Sequence, residues 1–310
     1  MRFSPKDPYY TLNRFLKEKF GEKVKKIPLD AGFSCPNRDG TKGYGGCIYC
    51  DPKGSGTGLW AKGYSLEEQI RLFSERFEKK GFRKFILYFQ SFCNTYGPIE
   101  KLKKAYDLVF LKDSIAGMAI GTRPDCINKD VVELLKSYRD KGKYVWLELG
   151  VQSVHDETLK RINRGHTFED FLRAHALLKK EGFPVVVHII FGLPGENREM
   201  MLETVKTLAS LGIDGIKFHA LYIVKGTKMA ELYQKGEYKP IELEEYVDLV
   251  VEAIAYLPSD VVIHRVCSEA REEEILAPIW VAKKMEVINL IRKRFREREL
   301  YQGKLVKIEN

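Results

Sequence analysis

Cysteine is scarce in this chain: six residues in 310 are too few for a secreted disulfide scaffold. No stretch approaches the roughly 20 apolar residues of a membrane helix, and the opening residues Met1 to Pro8 hold no apolar signal core. A reducing cytoplasm with no membrane partner is the expected setting. Internal repeats and low-complexity linkers are also missing, and the length suffices for a sizeable core, as one large α/β domain or one domain with extensions. Acid is in deficit: 43 Asp and Glu face 52 Lys and Arg, leaving a formal charge of +9. That favours an anionic partner without choosing RNA over a phosphorylated metabolite. Charged residues make up 31% of the chain, above the usual quarter, with a Lys and Glu bias also seen in heat-adapted proteins.

What cysteine there is lies close together. Cys35, Cys47 and Cys50 fall within sixteen positions, as ligands do. Three thiolates can hold a metal centre and leave one coordination position open, as a reactive iron–sulfur cluster requires. Zinc is the alternative, because Cys-x-x-Cys is also half of a zinc ribbon. A closed zinc site needs a fourth ligand, and the sequence holds no second Cys-x-x-Cys and no His-x-x-x-His. Gly40, Gly43, Gly45 and Gly46 would let backbone amides approach the sulfurs, or mark an ordinary loop.

The periodicity predicts an amphipathic helix over residues 9–26, ahead of the cysteines. Strands are predicted over 26–33, 84–90, 115–121, 144–151, 185–191 and 215–221, with helices between them. Ser65 and Glu68 resemble a capping box opening one of these helices. Such alternation implies parallel pairing, and six units make a partial barrel. A helix over 242–256, a strand over 261–265 and a basic helix over 283–298 complete the chain. The expected organisation is an N-terminal basic aromatic extension over 1–25, a core barrel over 26–225 and a C-terminal α/β extension over 226–310.

Three motifs, Leu147 to Ser153, Leu159 to His166 and His188 to Glu196, together with Thr122 to Asp125 and the long gap between the first two cysteines, closely resemble the radical S-adenosylmethionine (SAM) enzymes. The nearest branch is that of the Elongator catalytic subunit, including small stand-alone bacterial members; the oxygen-independent coproporphyrinogen oxidases are more distant. The resemblance covers residues 26–225. It implies a partial (β/α)6 barrel of the TIM type with N- and C-terminal helical extensions. It also implies a 4Fe-4S cluster held by Cys35, Cys47 and Cys50, and reductive cleavage of SAM to a 5′-deoxyadenosyl radical. A reducing electron donor of the flavodoxin or ferredoxin type is implied too, and no acetyltransferase domain is expected.

Carried onto this sequence, the resemblance places Tyr49 by the adenine of SAM, Gln152 and Arg164 by its ribose or carboxylate, and Gly192 in a turn that admits the adenine. His188 stands where a coproporphyrinogen oxidase has a ribose-binding acid, and a satisfied core histidine is the alternative. Two departures are visible: Gly121 replaces an acidic residue before the Thr122 motif, and Gln90 to Tyr96 replaces Gly-Gly-Glu. Gln90, Ser91, Asn94 and Thr95 offer groups for the SAM ammonium. Cys93, Cys126 and Cys267 are isolated, and read as buried structural thiols; Cys93 is the one candidate radical partner among them. Arg123 and Asp125 would bind substrate or pair with each other.

Residues 283–304 carry eight basic residues against three acids, an excess of five. Met285, Ile288, Ile291 and Phe295 give this segment an apolar stripe, with Lys283, Lys284, Arg292, Lys293 and Arg296 outward. A solvated helix face and an RNA-binding surface both explain it; with the basic N-terminus, RNA is the better joint explanation. The expected function is radical modification of tRNA at a wobble uridine or its C5 side chain. The rivals are a radical SAM enzyme for a tetrapyrrole or other metabolite, and a non-catalytic RNA-binding adaptor that senses SAM or the cluster.

Overall fold

The computed structural model describes residues 2–51, 54, 56–270 and 272–306. A single parallel sheet organises the chain. Its strands are β1 (Val24–Leu29), β2 (Lys84–Phe89), β3 (Ile115–Thr122), β4 (Tyr144–Gln152), β5 (Val185–Phe191), β6 (Gly215–Ala220) and β8 (Val262–Arg265), hydrogen-bonded in that order. Each neighbouring pair is parallel. A short antiparallel pair, β7 (Ile223–Val224) and β9 (Ile275–Ala277), lies apart from it. The partial barrel expected from the alternation is present. Its sheet carries a seventh strand, contributed by residues that the expected boundary at 225 leaves outside the barrel.

Helices α2 (Leu66–Glu78), α3 (Ile99–Tyr106), α4 (Lys129–Asp140), α6 (Phe168–Lys180), α7 (Arg198–Ser210) and α9 (Leu243–Ala255) connect or cover the strands. Shorter helices α5 (Asp156–Arg161) and α8 (Lys228–Gln234) lie near the strand ends. Their starts are written in the sequence. Ser65 and Glu68 form the expected capping box of α2, Thr167 and Asp170 form another at α6, and Asn128 and Asn197 cap α4 and α7. One face of each of the six longer helices joins one face of the sheet in the main apolar core, with Leu87, Phe89, Leu147, Leu149, Val187, Ile189, Ile216 and Phe218 on the strand side; Leu159 of α5 and Met229 of α8 belong to a second cluster.

Alternate residues of the same strands point to the concave side. The sheet must be curled, because Lys26 of β1 and Lys217 of β6 both contact Glu148 of β4. On a flat sheet with strands about 4.8 Å apart, β1 and β6 would be separated by about 24 Å. The lumen is layered. Its lower end is apolar, formed by Val24, Ile86, Ala119, Trp146 and Val186, and helix α1 (Leu12–Phe20) plugs it through Leu16.

Helix α1 is shorter than the predicted span over 9–26. Thr11 caps its start, and Gly21, in the left-handed region at φ 74°, ends it, so that β1 begins at Val24. The preceding segment pairs with the last strand, Ile263 donating to the Tyr10 carbonyl at 2.7 Å. The N-terminus thus bridges β8 and β1 across the lower end of the barrel. Tyr9 also packs on Phe295 of α10 (Lys284–Glu297). The apolar stripe of α10 differs from the expected one: Val287, Ile291 and Phe295 are buried, spaced four apart, while Met285 is 62% exposed. No helix among the described residues is long and apolar enough to cross a membrane.

Leu16 is 1% exposed, and truncating a fully buried leucine costs about 2–5 kcal/mol. Leu16→Ala is expected to lower the unfolding free energy by that amount in denaturant titration. A change under about 1 kcal/mol would show that α1 does not plug the barrel.

Candidate active site

The upper end of the lumen opens into a cavity of about 490 Å³, at the carboxyl ends of the strands. Cys35, Cys47 and Cys50 all line it. They reach it on a loop folded on itself: Arg38 N–H donates to the Cys35 carbonyl at 2.8 Å, Gly46 N–H to Asn37 at 2.8 Å, and Cys50 N–H to Cys47 at 2.9 Å. A reciprocal pair of amides pins the loop to the turn after α5. Asn37 Nδ2 donates to the Asn163 carbonyl at 2.6 Å, and Asn163 Nδ2 to the Gly46 carbonyl at 2.8 Å.

That turn also delivers Arg164. Its guanidinium is buried, donating to Cys47 Sγ at 3.4 Å, to the Gly150 carbonyl at 2.7 Å and to His166 Nε2 at 3.0 Å. A Cβ on Gly150 would lie 2.5 Å from Arg164 Nη2, so glycine is needed for the guanidinium to cross the strand end. Burial pushes the Cys47 thiol up, but Arg164 and then Arg123 bring it below its ordinary value overall. Burial dominates at the other two thiols, raising Cys35 and pushing Cys50 up to about 11. Binding iron would release those protons. Among the described residues no three His, Cys, Asp or Glu side chains close on a single metal ion, whereas in a cluster each thiolate takes a different iron.

The candidate SAM residues separate into two groups. Tyr49, Gln90, Gln152, Arg164 and His188 line the cavity. Ser91, Asn94, Thr95 and Gly192 do not. Ser91 Oγ lies behind Gly56, and Asn94 Nδ2 donates to the Gly121 carbonyl at 2.8 Å; both glycines are part of the lining. Thr95 Oγ1 is committed to the Cys126 carbonyl at 2.8 Å and to Thr122 at 2.6 Å. The Gly192 carbonyl accepts from the Tyr238 hydroxyl at 2.6 Å.

Four of these candidates hold a buried polar atom with no partner: the Tyr49 hydroxyl, Ser91 Oγ, Asn94 Oδ1 and Gln152 Oε1. Orphaned buried polar atoms are costly, and Gln152 is moreover fixed in the left-handed region at φ 73°. The group fits a ligand rich in amino, hydroxyl and ring-nitrogen groups, together with three thiols for a cluster. Arg123 and Asp125 pair with each other, through two bonds of 2.9 Å. Cys93 is buried outside the cavity lining, with Sγ 3.0 Å from Thr122 Oγ1; burial raises its thiol, but Cys126 and Thr122 bring it below its ordinary value.

The floor of the cavity is a charged layer of which only His188 was singled out from the sequence. Glu148 is fully buried and receives four donors: Lys26 Nζ at 2.7 Å, Trp146 Nε1 at 3.0 Å, His188 Nε2 at 3.0 Å and Lys217 Nζ. Lys217 also donates to the Tyr88 hydroxyl at 2.9 Å. Burial alone would raise the Glu148 carboxyl, but Lys217, Lys26 and His188 hold it well below the usual range. His188 is thereby committed through Nε2, while its ring tilts against His219 at 5.3 Å between centroids. A signal was available: Leu147-Glu148-Leu149, Val187-His188-Ile189 and Ile216-Lys217-Phe218 each set one polar residue at a concave-facing position inside an apolar strand.

The basic residues of α10 are largely engaged. Lys283 pairs with Glu286 at 3.7 Å, Lys293 with Glu297 at 3.4 Å, and Lys284 with Glu269, which lines the cavity. Arg292 and Arg296 are exposed and enter no salt bridge among the described residues. Arg292 lies beside Tyr9.

A curled parallel sheet with a three-thiol loop at the carboxyl ends of its strands, over a cavity edged by unpartnered polar atoms, is the arrangement of an enzyme that holds an iron–sulfur cluster and an organic cofactor together. Residues 35–208 match the family model of the Radical SAM superfamily, and residues 213–297 that of the Radical_SAM C-terminal domain. The chain belongs to the radical SAM superfamily, and membership implies a 4Fe-4S cluster and SAM. It is similar to protein YtqA of Bacillus subtilis (strain 168), 41% identical over 96% of this chain and 92% of that protein. It is also similar to the tRNA uridine(34) acetyltransferase of Methanocaldococcus infernus, 34% identical over 47% of this chain and 27% of that one. Among solved structures, the archaeal Methanocaldococcus infernus Elp3 with an N-terminal deletion superposes with a TM-score of 0.68 at 24% identity, over 79% of this chain and 62% of the other. That likeness bears on the fold.

Removing Glu148 leaves two ammonium groups facing each other in the lumen, a change expected to cost about 3–5 kcal/mol. Because the folded carboxyl titrates below its ordinary value of 4.5, its stabilisation is complete above that pH and fades as the pH falls through the folded value. Glu148→Ala is therefore expected to lose most stability near pH 7 and progressively less in acid, by denaturant unfolding at several pH values. An equal loss at every pH would contradict the charged assignment.

Proposed function

We propose that this protein is an enzyme that cleaves SAM reductively at a 4Fe-4S cluster and modifies tRNA, at a wobble uridine or its C5 side chain. The observation that carries the reading is the gathering of Cys35, Cys47 and Cys50 with the unpartnered groups of Tyr49 and Gln152 around one cavity, with those of Ser91 and Asn94 behind its wall. When bound, the cluster and SAM supply a carbon-centred radical able to abstract hydrogen from an unactivated carbon. The chain's own part is to bind, orient and exclude water. Cys35, Cys47 and Cys50 hold three irons; Arg164 steadies the Cys47 sulfur and braces the strand end at Gly150. Tyr49, Gln90 and Gln152 face SAM, with Ser91 and Asn94 just behind them. Cys93, sealed off from the cavity lining, is a structural thiol in this reading.

Support for tRNA comes from three directions. The net charge is +9, the arginines Arg292 and Arg296 face solvent, and a relative over about half of the chain is named a tRNA uridine(34) acetyltransferase. Tyr44, on the cysteine loop, is 80% exposed and offers a ring for base stacking. The cavity volume of about 490 Å³ also suits a metabolite, the second reading.

Two measurements separate these. Reconstituted protein with reductant and SAM is expected to form 5′-deoxyadenosine, stimulated by bulk tRNA; Cys47→Ala is expected to form none. Formation without stimulation would favour the metabolite, and none from a verified cluster would favour the adaptor. Neutralising Arg292, Lys293 and Arg296 together is expected to weaken tRNA binding and lower the slope of log K against log salt by about 2–3, near one for each phosphate no longer neutralised. An unchanged slope would remove α10 from the RNA surface.

A further inference from the structure

Buried cations and carboxylates gather in the floor of the cavity. Lys26 and Lys217 converge on Glu148. Arg265, the register partner of Lys217 on β8, lines the same cavity. The carboxylate facing Arg265 is Glu269, at 2.9 Å, and Lys284 shares it. Lys26, Lys217, Arg265 and Lys284 thus share Glu148 and Glu269. Two further acids of the lining, Asp51 and Glu274, act on Tyr222, as Arg265 does. Burial holds Lys217 and His219 well below their ordinary values; at Lys217, Glu148 opposes the shift while Lys26 and Arg265 add to it, and at His219 the neighbouring His188, Arg265 and Lys217 add to it.

Two further observations point to a ligand. His219 Nε2 is buried without a partner, and His219 lines the cavity. The register between β6 and β8 also slips: Ile216 faces Ile263, but Lys217 faces Arg265, leaving His264 as an extra residue. Bulges re-aim side chains and recur beside active sites. This one sets His264 3.9 Å from Glu148 while Arg265 still reaches the cavity.

We infer that Lys217, His219 and Arg265 form a subsite for an oxyanion carried by the substrate, a carboxylate or a phosphate. The inference deepens the radical SAM reading of the cavity and rests on it. An ammonium, an imidazole and a guanidinium fork together match the lone pairs of a carboxylate or phosphate edge. An incoming oxyanion would give the buried His219 Nε2 the partner it lacks, beside Lys217 and Arg265. Such a subsite would hold the substrate by its charged group and leave a neutral carbon nearer the thiol wall.

The test uses the anaerobic protein with its cluster reconstituted. Carbon-13 acetate and inorganic phosphate are titrated separately, with NMR linewidths as readout, in the absence and presence of SAM. Saturable binding is expected for one of them, which identifies the oxyanion, and it should persist with SAM bound. Affinity is expected to fall about tenfold or more in Arg265→Gln and in Lys217→Met, the usual loss for a charge-assisted contact. Lys217→Met also disturbs Glu148, whereas the Arg265 side chain is 27% exposed, so Arg265→Gln keeps the test decisive if the first variant unfolds. No saturable binding, or binding unchanged in Arg265→Gln, overturns the inference; displacement of both anions by SAM overturns its assignment to substrate. Failure of the wild-type protein to form 5′-deoxyadenosine is a separate result: it removes the cofactor reading and leaves the anion titration readable.

Discussion

One carboxylate, Glu148, receives four donors inside the barrel: Lys26 from β1, Trp146 from its own strand, His188 from β5 and Lys217 from β6. Strands that are not neighbours in the sheet meet there. Removing a charge from water is expensive, and attraction compensates only when geometry and hydrogen bonds are complete. At Glu148 all four donors are in place. The interaction therefore specifies curvature: Lys26 and Lys217 reach the same carboxylate only when the sheet is bent. The apolar layer below, sealed by α1, and the cavity above both depend on that bend.

Above this layer, the cysteine loop is held from outside as well as by its own backbone hydrogen bonds. Its contacts run to the turn at 162–164, through Asn37, Asn163 and Ile48. Arg164 then links that turn to the Cys47 sulfur and to the end of β4. A loop rich in glycine has high conformational entropy to lose, and these cross-contacts fix it against the barrel. The chemistry belongs to the cofactors; the chain contributes a fixed thiol set, unpartnered polar atoms and a charged floor.

Much of this was legible in the sequence. The parallel strands and their helices follow from alternation and capping residues, and the cysteine spacing marks the loop. The extent of α1 was not legible, because its aromatic and basic residues continue in helical spacing through Gly21, where the backbone turns left-handed. The seventh strand was predicted near 261–265, but its membership of the barrel depends on long-range pairing with β6. Glu148, Lys26 and Lys217 escaped notice for a related reason. Each lies in a different strand, and only the curl brings them together. In α10 the sequence shows net charge but not that Lys284 and Lys293 are paired with Glu269 and Glu297.

The central claim is that three thiols hold a cluster with one iron left open to SAM at this cavity. Electron paramagnetic resonance of the reduced, reconstituted protein addresses it directly. The account expects a single 4Fe-4S signal whose g values shift when SAM is added. A signal that SAM leaves unchanged, or that survives intact in Cys35→Ala, would contradict it.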